Sequence, residues 1–476
     1  MKFLFSVCSL MLLIHHSIGQ TLLLEPYQFI SRAQDTVQAE RGTFKVLEDR
    51  TANQGDSIEL SFIRFKSTNP NPGPPIVYLS GGPGGAASST AKGDRFSLFM
   101  KLRAVADVIA FDQRGTGLSQ RLPNCPYQVE FEMGRAINKE EYVEQTTLLM
   151  SQCLSYWEEE GVNLKAYNTD ESAKDLDALR RVLGAEQISL WGISYGSHLA
   201  FAYIRLFESK VNKAVLASLE GPDETIKLPS ATQDFLWQIA QLAKDNYGSN
   251  TSYPELKTKI LAVHERLKDA PATTSYRNRR GGRDTLTFSN FELQMAIASF
   301  YLKNPKDSKQ IPRLYSQMYE GDFSAIGPDV MVVKRYLFSR LRPMALAMDL
   351  QSGISPQRKA TVDNQINSAV LGSCINVLLY AWMNQVDFPT LPEEFRQLKP
   401  NKVDALLLSG TLDGRTYLRA AYEIAAKFEN GQHLIIENAG HDLYMQSPLI
   451  GEAVLKFFQN EALQVERIVL KPTIFD

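Results

Sequence analysis

Along the chain the apolar residues keep two rhythms. "GTFKVLE" and "DSIELSFIRFKS" alternate apolar with polar, which predicts a pair of half-buried strands. After the turn segment "NPNPGPP", the runs "PIVYLS" and "ADVIAF" are short and apolar throughout, as in strands buried on both faces of a parallel sheet. "DESAKDLDALRRVLG" changes the rhythm. Ala173, Leu176, Leu179 and Leu183 recur at helical spacing, with Asp170 placed to cap the start and Gly184 to stop the helix. "ISLWG", "SHLAFAYIRLF" and "VNKAVLASLEG" then read as strand, helix and strand.

From about Pro222 to Pro400 the strand rhythm lapses. "QDFLWQIAQLAKDNY", "YPELKTKILAVHERLKD", "SNFELQMAIASFYL", "IPRLYSQMYEGDF" and "NSAVLGSCINVLLYAWM" all read as helices, and no strand pattern clearly interrupts them. After Asn401 the alternation resumes with strand "VDALLLSG", helix "TYLRAAYEIAAKF", strand "QHLIIENAG" and helix "LIGEAVLKFFQ". Strands alternating with helices predict an α/β fold, a mostly parallel sheet with helices on both faces. The inserted block predicts a helical cap over one edge of it. The expected organisation is a core from residues 21–221 and 401–476, with the cap at residues 222–400. The tail "QVERIVLKPTIFD" is extended and apolar, and its pattern assigns it no place.

Residues 1–20 stand apart. Lys2 precedes the apolar run "FLFSVCSLMLLI", and small residues follow at Ser17 and Gly19. This reads as a secretory signal peptide, too short for the ~20 residues of a membrane span. An exported protein with no stable membrane anchor is expected. The hydrophobic fraction of 44% supports a large core, and a net charge of -2 gives no electrostatic case for nucleic acid. Export bears on the cysteines remaining after the leader. Cys125 and Cys153 either close a disulfide or, like Cys374, serve as small buried hydrophobes. Their spacing matches no zinc pattern.

"GISYG" puts Ser194 between Gly192 and Gly196, where a buried strand turns into a helix. Such a turn lifts a hydroxyl above the carboxyl edge of the sheet, as a nucleophile elbow does. A serine nucleophile needs a base. His198 shares the elbow's own helix, His264 lies in the helical block, and His433 starts a strand at the wrong end. His441, in "NAGHD", leaves the carboxyl end of the last strand and is the expected base. The carboxylate that orients it is expected at Asp413 in "GTLDGRT", which otherwise serves as a turn residue. Asp404 precedes its strand, and Asp442 is placed to point elsewhere. The backbone N–H of Tyr195 and a glycine N–H of "SGGPGG" would hold the oxyanion, with Gly82 expected and Gly81 the alternative. That loop has no Gly-Lys-Ser/Thr ending and so does not read as a phosphate cradle.

"YLSGGPGG", "FDQRGTGLS", "WGISYGS", "GTLDGRT" and "NAGHD" occur in this order with suitable gaps. Together they resemble the prolyl aminopeptidase family of α/β-hydrolases, and in kind its secreted tripeptidyl-aminopeptidase-like members. The likeness covers roughly Pro75 to Gly221 and Asn401 to Phe458. It implies a serine exopeptidase that acts on peptides with a free N-terminus, releasing proline-linked residues or di- and tripeptides without metal or cofactor. Ser194, Asp413 and His441 would form the triad, with Gly82 and Tyr195 the oxyanion hole. Carboxylates at the junction of core and cap, here Glu220 and Glu224, would bind the substrate ammonium unless they form a solvated hinge. The family often has Asp where Glu220 stands. Asp112, Arg114 and Gly115 match a turn beside the site. "RNRRGGRD" is either an exposed loop or an attractor for a substrate carboxylate. A carboxylesterase or lipase would use the same triad, and a binding protein on a hydrolase scaffold is the reading from another class. Serine at the elbow speaks against dehalogenases and many epoxide hydrolases, which have Asp there. Oligomeric state is left open.

Overall fold

The computed structural model describes residues 21–51, 56–246, 252–278, 280–337 and 341–476. The expected signal peptide lies outside them. Twelve strands follow in chain order among the described residues. They are β1 (Leu23–Ile30), β2 (Thr36–Leu47), β3 (Ser57–Phe65), β4 (Gly73–Leu79), β5 (Ala106–Asp112), β6 (Ile188–Ser194), β7 (Val211–Leu219), β8 (Ala272–Arg277), β9 (Arg283–Phe288), β10 (Ala405–Gly410), β11 (Gly431–Glu437) and β12 (Arg467–Val469). Ten of them form one sheet in the order β1-β2-β3-β5-β4-β6-β7-β10-β11-β12. β1, β2 and β3 are antiparallel, β3 meets β5 antiparallel, and every pair from β5 to β12 is parallel. The central strands are apolar because both faces are covered: β10 is buried at every position, and β6 at all but its last residue, Ser194.

Two apolar layers flank the sheet. One holds Phe99, Trp191, Leu406, Ile436 and Val454 beneath helices Phe96–Leu102 and Pro448–Phe458. The other runs without a break from Leu190 and Leu199 into Phe235, Met344 and Met348 of the inserted block. The cap therefore shares its main apolar layer with the sheet, and a small separate cluster of Ile226, Val362 and Tyr380 lies within the cap. Stretches assigned from sequence to the core also serve it. Trp157 and Met150 of helix Lys139–Glu159 belong to the same layer, Thr287 N–H donates to the Met133 carbonyl at 2.8 Å, and Ile137 N–H donates to Glu292 at 3.1 Å.

The cap is not wholly helical. β8 and β9 form an antiparallel hairpin, and the described residues of "RNRRGGRD" make its turn and strand ends. Thr and Ser fill its outward positions, so the strands never show the apolar run that marks a buried strand. The segment read as one helix from Asn367 begins its helix only at Val377, because Gly372 adopts φ +53° and breaks the chain direction. Helix Thr169–Val182 is capped by Asn168, whose side chain accepts Glu171 N–H at 2.9 Å. Asp170 is already inside the first turn and pairs with Arg205 instead. Gly184, at φ +67°, ends this helix as expected.

Cys125 and Cys153 are joined by a disulfide, and Cys374 is free and buried. The tail finds two seats. β12 adds a parallel edge to β11, and Phe475 is buried where its N–H donates to Asn246 of the cap at 2.9 Å.

Candidate active site

The bend at the end of β6 is built by its glycines. Ser194 has φ 57° and ψ −128°, a conformation that costs a side-chain-bearing residue energy and persists only where the surroundings impose it. A Cβ on Gly196 would collide with the Leu79 carbonyl of β4, and one on Gly192 would lie 2.8 Å from the Gly196 carbonyl. Only glycine at both places lets helix Tyr195–Phe207 start that close to the sheet. Ser194 thus stands at the N-terminus of this helix, where unpaired backbone N–H groups favour negative charge. The Tyr195 ring is buried beneath, its hydroxyl 3.1 Å from Thr169 Oγ1 and 3.2 Å from Met348 Sδ.

The glycine loop after β4 folds over the serine. A Cβ on Gly81 would lie 3.0 Å from the Ile193 carbonyl and 3.1 Å from the Ser194 Cβ. Gly82, at φ +136°, has no such room toward its own loop: a Cβ would lie 2.9 Å from the Gly84 nitrogen. Gly81, Gly82 and Ser194 line one cavity of about 830 Å³.

His441 reaches the same cavity from the loop after β11. Its Nδ1 lies 3.0 Å and 3.1 Å from the two Asp413 carboxylate oxygens. Asp413 also accepts the Arg415 N–H at 2.8 Å, the Thr416 N–H at 2.9 Å and the Thr416 hydroxyl at 2.6 Å. Burial pushes the Asp413 pKa up, but His441 and these donors outweigh it and hold the carboxyl below its usual range. The imidazole backbone is pinned from both sides. His441 N–H donates to the Lys303 carbonyl at 3.0 Å, and the Ser218 hydroxyl donates to the His441 carbonyl at 2.7 Å.

The other histidines have structural partners. His198 sits under the elbow, with Nδ1 3.2 Å from the Gly221 carbonyl and Nε2 3.2 Å from Ser352 Oγ of the cap. His264 bonds Asn290 and Tyr315, and His433 bonds Ser409. Burial lowers both of these last two to about 4. Asp112 accepts from Ser88 and Leu118, and fully buried Arg114 grips Asp175 at 2.7 Å and 2.8 Å, so the "DQRGTG" turn is held as framework. Its Gly115, at φ +74°, lies where a Cβ would come within 3.0 Å of Met344 of the cap.

The two junction acids part company. Glu220 lines the cavity with Lys227 at 3.4 Å, and its N–H donates to Ser197 Oγ at 2.9 Å. Ser197 in turn donates to the Ser194 carbonyl at 2.6 Å, so one hydroxyl ties the acid to the elbow. Glu224 curls back onto its own turn, where it accepts the Gly221 N–H at 3.0 Å, and burial raises its pKa. Two more acids line the cavity: Asp442, paired with Lys303, and Asp349 of cap helix Pro343–Ser352, which sequence reasoning missed. Burial, then the Glu220 charge, push its pKa well above the carboxylate range. Leu341, Leu346, Leu378 and Trp382 give the cavity an apolar roof, and the buried Trp382 Nε1 has no hydrogen-bond partner among the described residues. The described residues of "RNRRGGRD" line no part of this cavity.

Comparison with known proteins follows this geometry. A family model described as alpha/beta hydrolase fold matches residues 74–448. Serine protease Hip1 of Mycobacterium tuberculosis is 28% identical over 191 residues, 38% of this chain and 36% of the relative. Tripeptidyl aminopeptidase of Streptomyces coelicolor is 28% identical over 180 residues, 36% of this chain and 31% of the relative. The chain therefore spans about a third of the length of the curated relatives it matches. Among solved structures, a proline iminopeptidase-related protein from Thermus thermophilus is 16% identical with a TM-score of 0.39, covering 89% of this chain and 98% of that one.

Proposed function

Because the chain belongs to the alpha/beta hydrolase fold family, we propose that it is an exported serine exopeptidase, releasing residues from the free amino terminus of peptides through Ser194, His441 and Asp413. The observation that carries this reading is one cavity lined by Ser194, the Asp413-oriented His441 and, besides the Lys303-paired Asp442, the acids Glu220 and Asp349. A hydrolase of neutral esters has no use for paired carboxylates under an apolar roof. A peptide ammonium does, since a carboxylate accepts a charge-assisted hydrogen bond from it and its arriving positive charge favours ionisation of the buried Asp349. The relatives' names, a serine protease and a tripeptidyl aminopeptidase, support a peptide substrate. Among the described residues no helix is long and apolar enough to cross a membrane.

In this reaction His441 takes the Ser194 proton as the hydroxyl oxygen attacks the substrate carbonyl. The Tyr195 and Gly82 N–H groups hold the oxyanion, and Asp413 keeps the imidazole in the tautomer that accepts at Nε2. His441 then protonates the leaving amine, and water activated by the same imidazole releases the acyl group. The test compares chromogenic peptides with free and blocked amino termini against simple esters. Turnover confined to free-amine peptides is expected, and cleavage of esters alone would remove the peptidase reading.

A further inference from the structure

A second cavity, of about 1030 Å³, opens beside the first. Thr90, Arg95 and Asp442 line both, so the two share a wall. That wall stands next to the imidazole, because Asp442 directly follows His441. Glu220 and Asp349 line the first cavity only. In acyl transfer the departing amine leaves past the histidine that protonates it. Ser194, Gly82 and His441 line the first cavity only, so the second is reached past the wall of Thr90, Arg95 and Asp442.

Both cavities carry more cations than acids, but neither Glu220 nor Asp349 faces the cations of the second. Arg32, Arg95, Lys306 and Lys471 face it, against Asp94 and Asp442. They come from four separate segments: the turn after β1, the loop before helix Phe96–Leu102, the cap, and the tail beyond β12. Asp442 is already engaged, by Lys303 at 2.9 Å, Asn304 at 3.2 Å and Arg95 at 3.8 Å. Arg32, Lys306 and Lys471 are exposed and form a positive rim. Between them Met445, Leu449 and Val469 leave 39%, 53% and 65% of their surfaces open, an apolar stretch suited to side chains.

We propose that this second cavity receives the departing half of the peptide and recognises a carboxylate on it, either the substrate's own C-terminus or an acidic side chain. The inference rests on the aminopeptidase reading and narrows it. Glu220 and Asp349 line only the first cavity, and Arg32, Lys306 and Lys471 line only the second, so the two offer different partners to the two ends of a peptide. The substrate class is then a short peptide carrying both charges, within reach of both cavities at once. Exposed ion pairs are individually weak, so the rim acts as several modest contacts that salt will screen.

The test uses one short peptide with a free amino terminus, made as C-terminal acid and as C-terminal amide, with cleavage followed by mass spectrometry. The acid form is expected to have a kcat/KM about fivefold higher at low salt. The ratio should fall toward one in high salt and in the double variant Lys306→Glu, Lys471→Glu. An amide peptide that regains the rate when an Asp is placed after the cleaved bond supports the same site with a side chain as the source. Equal rates for all forms, with free-amine peptide p-nitroanilides still cleaved and blocked ones not, would overturn the inference and leave the aminopeptidase reading standing. An acid preference that survives the charge reversal would overturn the assignment to this cavity. No cleavage of any free-amine substrate would end the peptidase reading, and this inference with it.

Discussion

Asp349→Asn separates binding of a free amine from the chemistry at Ser194. On the aminopeptidase reading, Glu220 already shares its charge with Lys227 at 3.4 Å, and Asp349, whose pKa burial raises, is drawn into its ionised form by an arriving ammonium. A hydrogen bond to a charged group is worth about 1.5–3 kcal/mol, so kcat/KM for free-amine peptides should fall about 10- to 100-fold. Blocked peptides and esters, which bring no ammonium, should lose far less. The same change has a second signature. Burial and Glu220 raise the Asp349 pKa, so ionising it within the fold works against stability. That penalty is absent below about pH 4, where the unfolded carboxyl is itself protonated, and it grows as pH rises through the unfolded value. The Asn variant should therefore melt at or above the wild-type temperature at neutral pH, with the gap closing in acid. Steady-state kinetics on paired free and blocked substrates, with calorimetry across pH, read both effects. Equal losses for the two substrate types, or a variant less stable at neutral pH, would refute the reasoning.

Ser194→Ala should cut turnover by at least about 10⁴-fold and abolish labelling by a fluorophosphonate, with the labelled peptide identified by mass spectrometry; undiminished turnover would contradict the assignment. Glu224→Gln keeps an acceptor for the Gly221 N–H and removes a buried charge, so it should raise the melting temperature at neutral pH, the gain fading below about pH 4.3. A loss of free-amine turnover matching that of Asp349→Asn would instead return Glu224 to the ammonium site. Replacing Cys125 and Cys153 together by Ser frees a loop with a sequence separation of 28. Loop-closure entropy puts the cost of that change at about 3.5 kcal/mol, readable by denaturant unfolding, and an unchanged midpoint would show that the bridge constrains little.

The sheet was legible because its strands obey simple rules. β4, β5, β6 and β10 are apolar at most positions, since both faces are covered along most of their length, and the run of β6 into Gly192-Ile193-Ser194 shows a strand halting at a bend. β1 was missed because Pro26 interrupts it and its outer face is solvent, conditions an edge strand tolerates. The β8–β9 hairpin had a readable sign in its Gly281-Gly282 turn, but its strands carry Thr and Ser where a buried strand would be apolar. Asp349 left no trace. It sits in "PMALAMDLQS", a helix buried on most sides, and only the packing order of the cap decides which residue meets the cavity. Helical periodicity tells which face is buried, not what it is buried against.

The unbroken apolar layer between sheet and cap also sets how anything arrives at Ser194. Lifting the cap would drag Phe235, Met344 and Met348 into water at about 1.5–3 kcal/mol each, and would part His198 from Ser352. Such a roof is masonry rather than a door. On the proposed exopeptidase reading, a cap held this way predicts that slender, unstructured chain ends are cleaved and folded globules are not.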